Sequence, residues 1–323
     1  MKNYSPLFLN QEKVKQYCRA GLRYAIGITM NKILSNKKAI FLFVFPTLFI
    51  MAAIVIFPMF VSGYYSMLDW DGIGKGVFTG LDNYKKLLHD TRFINSIKNS
   101  LLFVGLSVFV QLPISLLIAI VLSTGIKHEK FYRTVYFIPV IISTVVIGQL
   151  WLKIYNTDYG LLNTLLRNFG LSRFVQDWLG QDSTALICCF IPILWQYIGY
   201  HMLIMYAGAK GISNEVTEAA KIDGGNKRQI AFKITIPLMT PILKVCVTFS
   251  VIGALKVFDL IYVLTNGGPF FSTEVPSIYM YTTIFNSYKY GYGSAISVFI
   301  IIECFLFTML VNFLFKLKED RIG

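Results

Sequence analysis

Charge is scarce in this chain: Asp, Glu, Lys and Arg make up 15% of its 323 residues, where an average soluble domain carries about 25%. An ordinary cytosolic globule is excluded, because the apolar residues gather in uncharged blocks far longer than a soluble core helix needs. A bilayer crossing takes about 20 such residues. Cysteine is scarce too. Of Cys18, Cys188, Cys189, Cys246 and Cys304, four lie inside apolar blocks without C-x-x-C spacing. Neither a disulfide framework nor a zinc site follows, and the thiols read as small packing residues. Three histidines, no nucleophile elbow and no clustered carboxylates give no constellation for catalysis, so no enzyme is expected. The stretch Gly72-Ile-Gly-Lys-Gly lacks the G-x-x-x-x-G-K-[ST] spacing of a phosphate loop, which leaves the chain without a motor of its own. A cleavable secretory signal is missing as well. The basic stretch before the first apolar block runs about 38 residues and no small-residue cleavage site follows it. Initiation at Met1 or at Met30 leaves the first membrane segment in place.

What the sequence holds instead is six apolar blocks, and they predict an all-α integral membrane protein. The crossings are expected at 40–62, Asn99–Ile126, Thr134–Leu152, Ser183–Ala209, 236–258 and 292–315, with Pro46 and Pro58 tolerated in the first. Six crossings put both termini on one side. The segments on that side carry 19 Lys and Arg against 9 on the other, so the positive-inside rule places both ends in the cytoplasm of a multi-pass cell-membrane protein. The formal net charge of +13 is explained by these flanks rather than by nucleic acid. Within the basic segment 1–38, residues Val14, Tyr17, Cys18, Gly21 and Ala25 recur at helical spacing among Lys and Arg. Residues 12–29 therefore read either as an interfacial amphipathic helix or as a basic tail that reinforces topology. The membrane domain spans 39–316 and a tail 317–323.

The loop between the fourth and fifth crossings, about 211–237, is too structured for a spacer. Ser213 or Asn214 caps a helix whose first turn holds Glu215, and Gly224-Gly225 ends it; a second short helix runs from Asn226 towards Pro237. Small residues at Ala219, Ala220 and Gly224 leave a ridge of accessible backbone, flanked by Glu218 and Asp223 as anchors for another protein's donors. This stretch resembles the EAA box of binding-protein-dependent ABC importer permeases: Glu218-Ala219-Ala220, then Gly224, then Ile234-x-Ile236-Pro237, with Ile236 where Leu is usual. Over about 40–316 the likeness is to the carbohydrate branch, the maltose-transporter-like permeases. It is carried by Gly80-Leu81-Asp82-Asn83-Tyr84, the Arg133–Pro139 turn, Trp151 with Gly160-Leu161-Leu162-Asn163, and Phe258-Asp259 leading to Thr265-Asn266-Gly267-Gly268-Pro269 with Thr273. Gly291-Tyr292 fits too, although Gly293 stands where the family often has Ala.

The resemblance implies that Glu218, Ala219, Ala220, Asp223, Gly224 and Pro237 belong to a coupling helix seated on a cytoplasmic ATPase. It implies two such ATPases carrying Mg-ATP, a second related permease chain, membrane lipid around both and an extracellular solute-binding protein, with no cofactor on this chain. The 66–94 segment and the 266–269 turn face outside, where they contact that binding protein or only cap helices. Other solute classes, such as a glycerophosphodiester or an amino acid, share the EAA loop; an ion-coupled secondary transporter would show more membrane carboxylates.

Sugar sites combine aromatic faces with a few placed polar groups, and Trp195, Gln196, Tyr197 and Tyr200 in the fourth crossing meet that description. The same residues also suit membrane-interface anchoring. Among intramembrane polar residues, Lys244 reaches the cytoplasm by snorkelling, His201 reads as an interhelical hydrogen-bonding residue, and Glu303 calls for a partner, most simply in the companion subunit.

Overall fold

The computed structural model describes residues 37–319; the helix expected over 12–29 and the last four residues lie outside them. The chain divides into two units, Met1–Val61 and Ser62–Gly323. Helix α1 runs through 37–65 as Lys37–Met51, a π turn at Ala52–Ile56 and Phe57–Tyr65. Its apolar side chains from Ile40 to Phe60 are exposed around the helix, as a lipid-facing segment requires.

Three of the four π turns among the described residues have a local cause, the one at Thr282–Asn286 having no proline after it. Those at Ala52–Ile56, Ser107–Gln111 and Ala231–Thr235 each end two residues before a proline: Pro58, Pro113 and Pro237. Proline offers no N–H and its ring presses on the carbonyl four residues back. Widening the preceding turn by one residue relieves that pressure without ending the helix.

The second unit opens with a two-residue hairpin, Leu68–Asp69 paired antiparallel with Val77–Phe78. Then come α2 (Asp82–His89), α3 (Thr91–Ser123), α4 (Glu129–Ile141), α5 (Thr144–Tyr155), α6 (Leu161–Asn168) and α7 (Asp182–Lys210). They are followed by α8 (Asn214–Ile222), α9 (Lys227–Ile230), α10 (Thr240–Leu255), α11 (Asp259–Leu264), α12 (Pro276–Tyr281) and α13 (Tyr290–Glu319). After α9 the helical path continues through the π turn to Leu238. Among the described residues five helical stretches are long and apolar enough to cross a membrane, and the pair α4 and α5, bent by 96°, counts as a sixth if the two are taken as one span.

That bend corrects the expectation of a straight third crossing. Ile142 and Ser143 both adopt extended backbone, with ψ of 138° and 133°, so the chain turns between two apolar helices whose composition does not reveal the break. The Arg133–Pro139 stretch, expected as a turn, lies inside α4. The second span starts earlier than expected, at Thr91, because the Asp90 side chain accepts from the backbone N–H groups of Arg92 and Phe93 and caps the helix.

Among the described residues four apolar clusters hold the helices together, two smaller ones around Phe93 with Ile296 and around Leu255 with Val311, and two larger ones. One of the larger two joins α3, α5, α7, α10, α11 and α12 through Phe103, Ile147, Phe190, Leu260, Ile261 and Ile278. The other joins α3, α7 and α10 through Leu112, Ala119, Met202, Met205 and Cys246. Cys188, Cys189 and Cys246 are buried free thiols, in the packing role expected of them. Helix α7 lies directly on α4: a Cβ at Gly199 would stand 1.9 Å from the Tyr136 carbonyl oxygen, so only glycine fits there.

Candidate functional site

The EAA segment folds from its own local signals. Ser213 takes the N-cap position with extended backbone (ψ 141°), although its side chain makes no capping bond, and Glu215 in the first turn complements the helix dipole. At the other end Gly224 adopts φ +81°, its N–H reaches the Lys221 carbonyl at 3.0 Å, and the Gly225 N–H reaches that of Ala220 at 2.9 Å. This is a Schellman termination, which needs a left-handed residue at Gly224. Asn226 and Gln229 then form a reciprocal capping box, each side chain accepting from the other's backbone N–H at 2.9 Å.

Helix α8 is thus fully formed, yet its side chains are left open. Glu218, Ala219, Asp223 and Gly224 are exposed, Ala220 is half-buried, and Ile222 is 86% exposed. Beside them lies a shallow concavity of about 280 Å³, bordered by Ala220, Asp223, Gly224, Gln229 and Lys233. An exposed isoleucine flanked by carboxylates, on a helix that caps itself without tertiary help, suits a protein surface that brings both apolar and basic groups.

A second site lies among α3, α5, α7, α10 and α11, where a cavity of about 410 Å³ opens. Gln196, Tyr197 and Tyr200 line it, as does His201. Trp195 does not: it meets Trp151 edge-on, with ring centroids 6.1 Å apart. Gln196 Nε2 donates to Thr144 Oγ1 at 3.3 Å and to the Ile142 carbonyl at 3.5 Å, which ties α7 to the bend of the third span. Gln196 Oε1, His201 Nδ1 and Ser250 Oγ are buried with no partner among the described residues, and all three belong to residues lining the cavity. Buried polar atoms are normally paired, so these await a solute or water. Two charged residues, Lys256 and Asp259, flank the break between α10 and α11 and complete the polar lining. Thr144, Ser250 and Lys256 were not singled out from the sequence, and Asp259 stood there only within the Phe258-Asp259 stretch of the family resemblance.

The end of the molecule away from α8 is tightly bonded. Arg92 binds Glu274 through two 2.6 Å bonds, from Nε and Nη2, and its guanidinium sits 3.7 Å from the Phe271 ring centroid. Asn99 Nδ2 donates to the Ser272 and Glu274 carbonyls at 2.9 and 2.8 Å. Asp90 Oδ2 accepts from the hydroxyls of Tyr279 and Tyr292 at 2.5 and 2.7 Å. Burial pushes the Asp90 carboxyl up, but the two hydroxyls and the amides of Phe93 and Arg92 outweigh it and leave the group below its ordinary value. In the Thr265–Thr273 turn the two threonine hydroxyls meet at 2.7 Å, and Thr273 Oγ1 also donates to the Gly268 carbonyl at 2.8 Å.

Residues 24–323 match the family described as binding-protein-dependent transport system inner membrane component. The chain is 36% identical over 289 residues to the probable ABC transporter permease protein YurN of Bacillus subtilis, covering 88% of this chain and 99% of that protein. It is 31% identical over 286 residues to the trehalose/maltose transport system permease protein MalF of Thermococcus litoralis, covering 88% and 96%. To the multiple sugar-binding transport system permease protein MsmF of Streptococcus mutans it is 28% identical over 276 residues, covering 85% and 94%. Among solved structures, the fold matches a chain of a bacterial ABC transporter that imports the acidic polysaccharide alginate, with a TM-score of 0.77 at 22% identity, covering 89% and 98%.

Proposed function

The chain belongs to the family of binding-protein-dependent transport system inner membrane components, and we propose that it passes a sugar or short oligosaccharide from an external binding protein into the cytoplasm. It is a transport subunit of the cell membrane rather than an enzyme. The solute class rests on its relatives. The permeases of Thermococcus litoralis and Streptococcus mutans serve trehalose/maltose and multiple-sugar systems. The cavity supports it too, since tyrosine rings and unpaired polar atoms are what a polyhydroxylated ring needs. Gln196, Tyr197 and Tyr200 contact the solute, whereas Trp195 packs on Trp151 outside the cavity lining.

The observation that carries the mechanism is α8, a self-capped helix whose apolar Ile222 and acidic neighbours stand exposed. Glu218, Ala219, Ala220, Asp223 and Gly224 seat in a groove of a cytoplasmic ATPase, and Pro237 stiffens the return into the fifth span. Two ATPases loaded with Mg-ATP and a second, related permease complete the transporter. Closure of the ATPases on ATP moves α8, and the outward-facing arrangement is favoured by the difference in contacts between the two states. The basic bias of the segments on the α8 side supports its cytoplasmic placement.

The test is reconstitution of the chain with its companion permease, ATPase and binding protein in liposomes, with ATP consumption and uptake of labelled sugars followed together. Glu218→Lys and Gly224→Asp should cut uptake per ATP by at least about tenfold, roughly 1.4 kcal/mol of lost coupling. Undiminished uptake per ATP in both variants would remove the mechanical role of α8. If solutes of other classes are taken up while the sugars are not, the sugar assignment falls and the permease assignment stands.

A further inference from the structure

The root of the EAA segment is fastened to a different span from the one that carries it. Tyr206 and Lys210 lie four residues apart near the end of α7, hence on one face. Four residues after Lys210 α8 begins. Both reach the same carboxylate, that of Glu129 in the first turn of α4. The Tyr206 hydroxyl donates to Glu129 Oε1, and Lys210 Nζ stands 3.4 Å from Glu129 Oε2. One turn further along α4, the Arg133 guanidinium lies 5.2 Å from the centroid of the Tyr206 ring. Lys210 Nζ is 5.9 Å from the same ring. Tyr206 is buried and the Glu129 side chain is 19% exposed, while the Lys210 side chain is 43% exposed, so the network is sheltered on the Tyr206 side and open to solvent at Lys210.

A lone exposed ion pair contributes little. Here one carboxylate holds two groups of α7 while a cation of α4 covers the ring between them, and such networks exceed their separate bonds. Geometry gives the network a task. Helices α4 and α7 pack against each other at many positions and come closest, backbone to backbone, where Gly199 meets the Tyr136 carbonyl. The Glu129 cluster adds a polar fastening at the end of α7 next to α8, seven to eleven residues beyond Gly199, roughly 10 to 16 Å away by the helical rise. At its other end α4 runs into the 96° bend, where Gln196 bonds to Ile142 and Thr144 at the cavity wall.

We infer that Glu129 is a positioning residue for transport: by holding Tyr206 and Lys210 it makes the third span move with α8, so that displacement of the coupling segment reaches the bend beside the cavity. This rests on the reading of α8 as the ATPase contact. Without the cluster, the end of α7 next to α8 loses its polar tie to α4.

The experiment uses the complete reconstituted transporter, with Glu129→Ala, Tyr206→Phe, the two combined, and Gly224→Asp in parallel. The readouts are uptake per ATP consumed and the amount of assembled complex. Tyr206→Phe removes one hydroxyl and leaves the ring, so assembly is expected to hold. Both single changes should lower uptake per ATP at least about fivefold, the lower end of typical coupling. The combined variant should be no worse than Glu129→Ala, because the two changes break one network. The inference is overturned if Tyr206→Phe leaves uptake per ATP at the parent value, if the two changes add independently, or if any loss only mirrors lost assembly. Should Gly224→Asp uncouple while the Glu129 and Tyr206 variants do not, this inference alone fails. Should Gly224→Asp also leave coupling intact, the reading of α8 fails and the inference with it.

Discussion

The two ends of the membrane unit manage their polar groups in opposite ways. Around Asp90, Arg92 and Glu274, carboxylates and the guanidinium are answered by partners drawn from α3, α12, α13 and the 265–274 turn. Around α8, backbone groups are answered by local caps, while Glu218, Asp223 and Ile222 are left to solvent. Contacts accumulate where the chain must hold its own helix ends in register. On the proposed function, they are withheld where a second protein would supply them. Stability and coupling should therefore separate: changes at the bonded end cost folding free energy, whereas changes on α8 cost function alone.

The sharpest way to break that contrast is Glu274→Ala. It strands Arg92 beside Phe271 without its buried carboxylate; because 34% of the Arg92 side chain stays exposed, the cost should fall somewhat below that of breaking a fully buried pair, at about 2 to 3 kcal/mol. Thermal unfolding in detergent should show the largest drop of any single change named here. Asp90→Asn comes next, at about 2 kcal/mol, since it weakens charge-assisted bonds from two tyrosines and two backbone amides. The pH dependence at this site has a definite sign. A carboxyl held below its ordinary value contributes stability in full above that value, and loses it as pH falls through the depressed one. Acidification below about pH 4 should thus lower the melting temperature of the parent more than that of Asp90→Asn.

Gly199→Ala should follow at about 1 to 3 kcal/mol, because the added methyl meets the Tyr136 carbonyl and must push α4 away. The smallest effect on folding is expected for Ile222→Ala, within about 0.5 kcal/mol. Its effect on capture of the ATPase should nonetheless exceed about fivefold, as for the loss of an apolar anchor at an interface. Equal destabilisation by Ile222→Ala and Glu274→Ala would erase the distinction between the two ends.

The same contrast governs what could be read from the sequence. The α8 segment was legible because every determinant is local: the acidic first turn, the small-residue ridge and the glycine termination lie within a dozen residues. The bonded end was not, since Arg92 and Glu274 are 182 residues apart and no periodicity links them. Five of the expected spans followed from length and apolarity alone. The bend at Ile142 escaped because both halves are apolar and the break uses ordinary extended backbone rather than glycine. At the cavity, polar and aromatic residues in an apolar block drew notice to Gln196, Tyr197 and Tyr200. Trp195 was grouped with them by adjacency, but one residue along a helix is a turn of about 100°, enough to send it to Trp151 instead. Thr144 and Ser250 had no such signal, because small hydroxyls are common in membrane helices.

The central claim is that α8 stands in the cytosol, open to a partner that pulls on it, and side-specific labelling of Ile222→Cys tests it most directly. A membrane-impermeant maleimide, compared against the parent chain, should label this variant in inverted vesicles and spare it in intact cells. Addition of the ATPase should then protect the thiol. Labelling from the outside of intact cells would place α8 on the wrong face of the membrane and contradict the account.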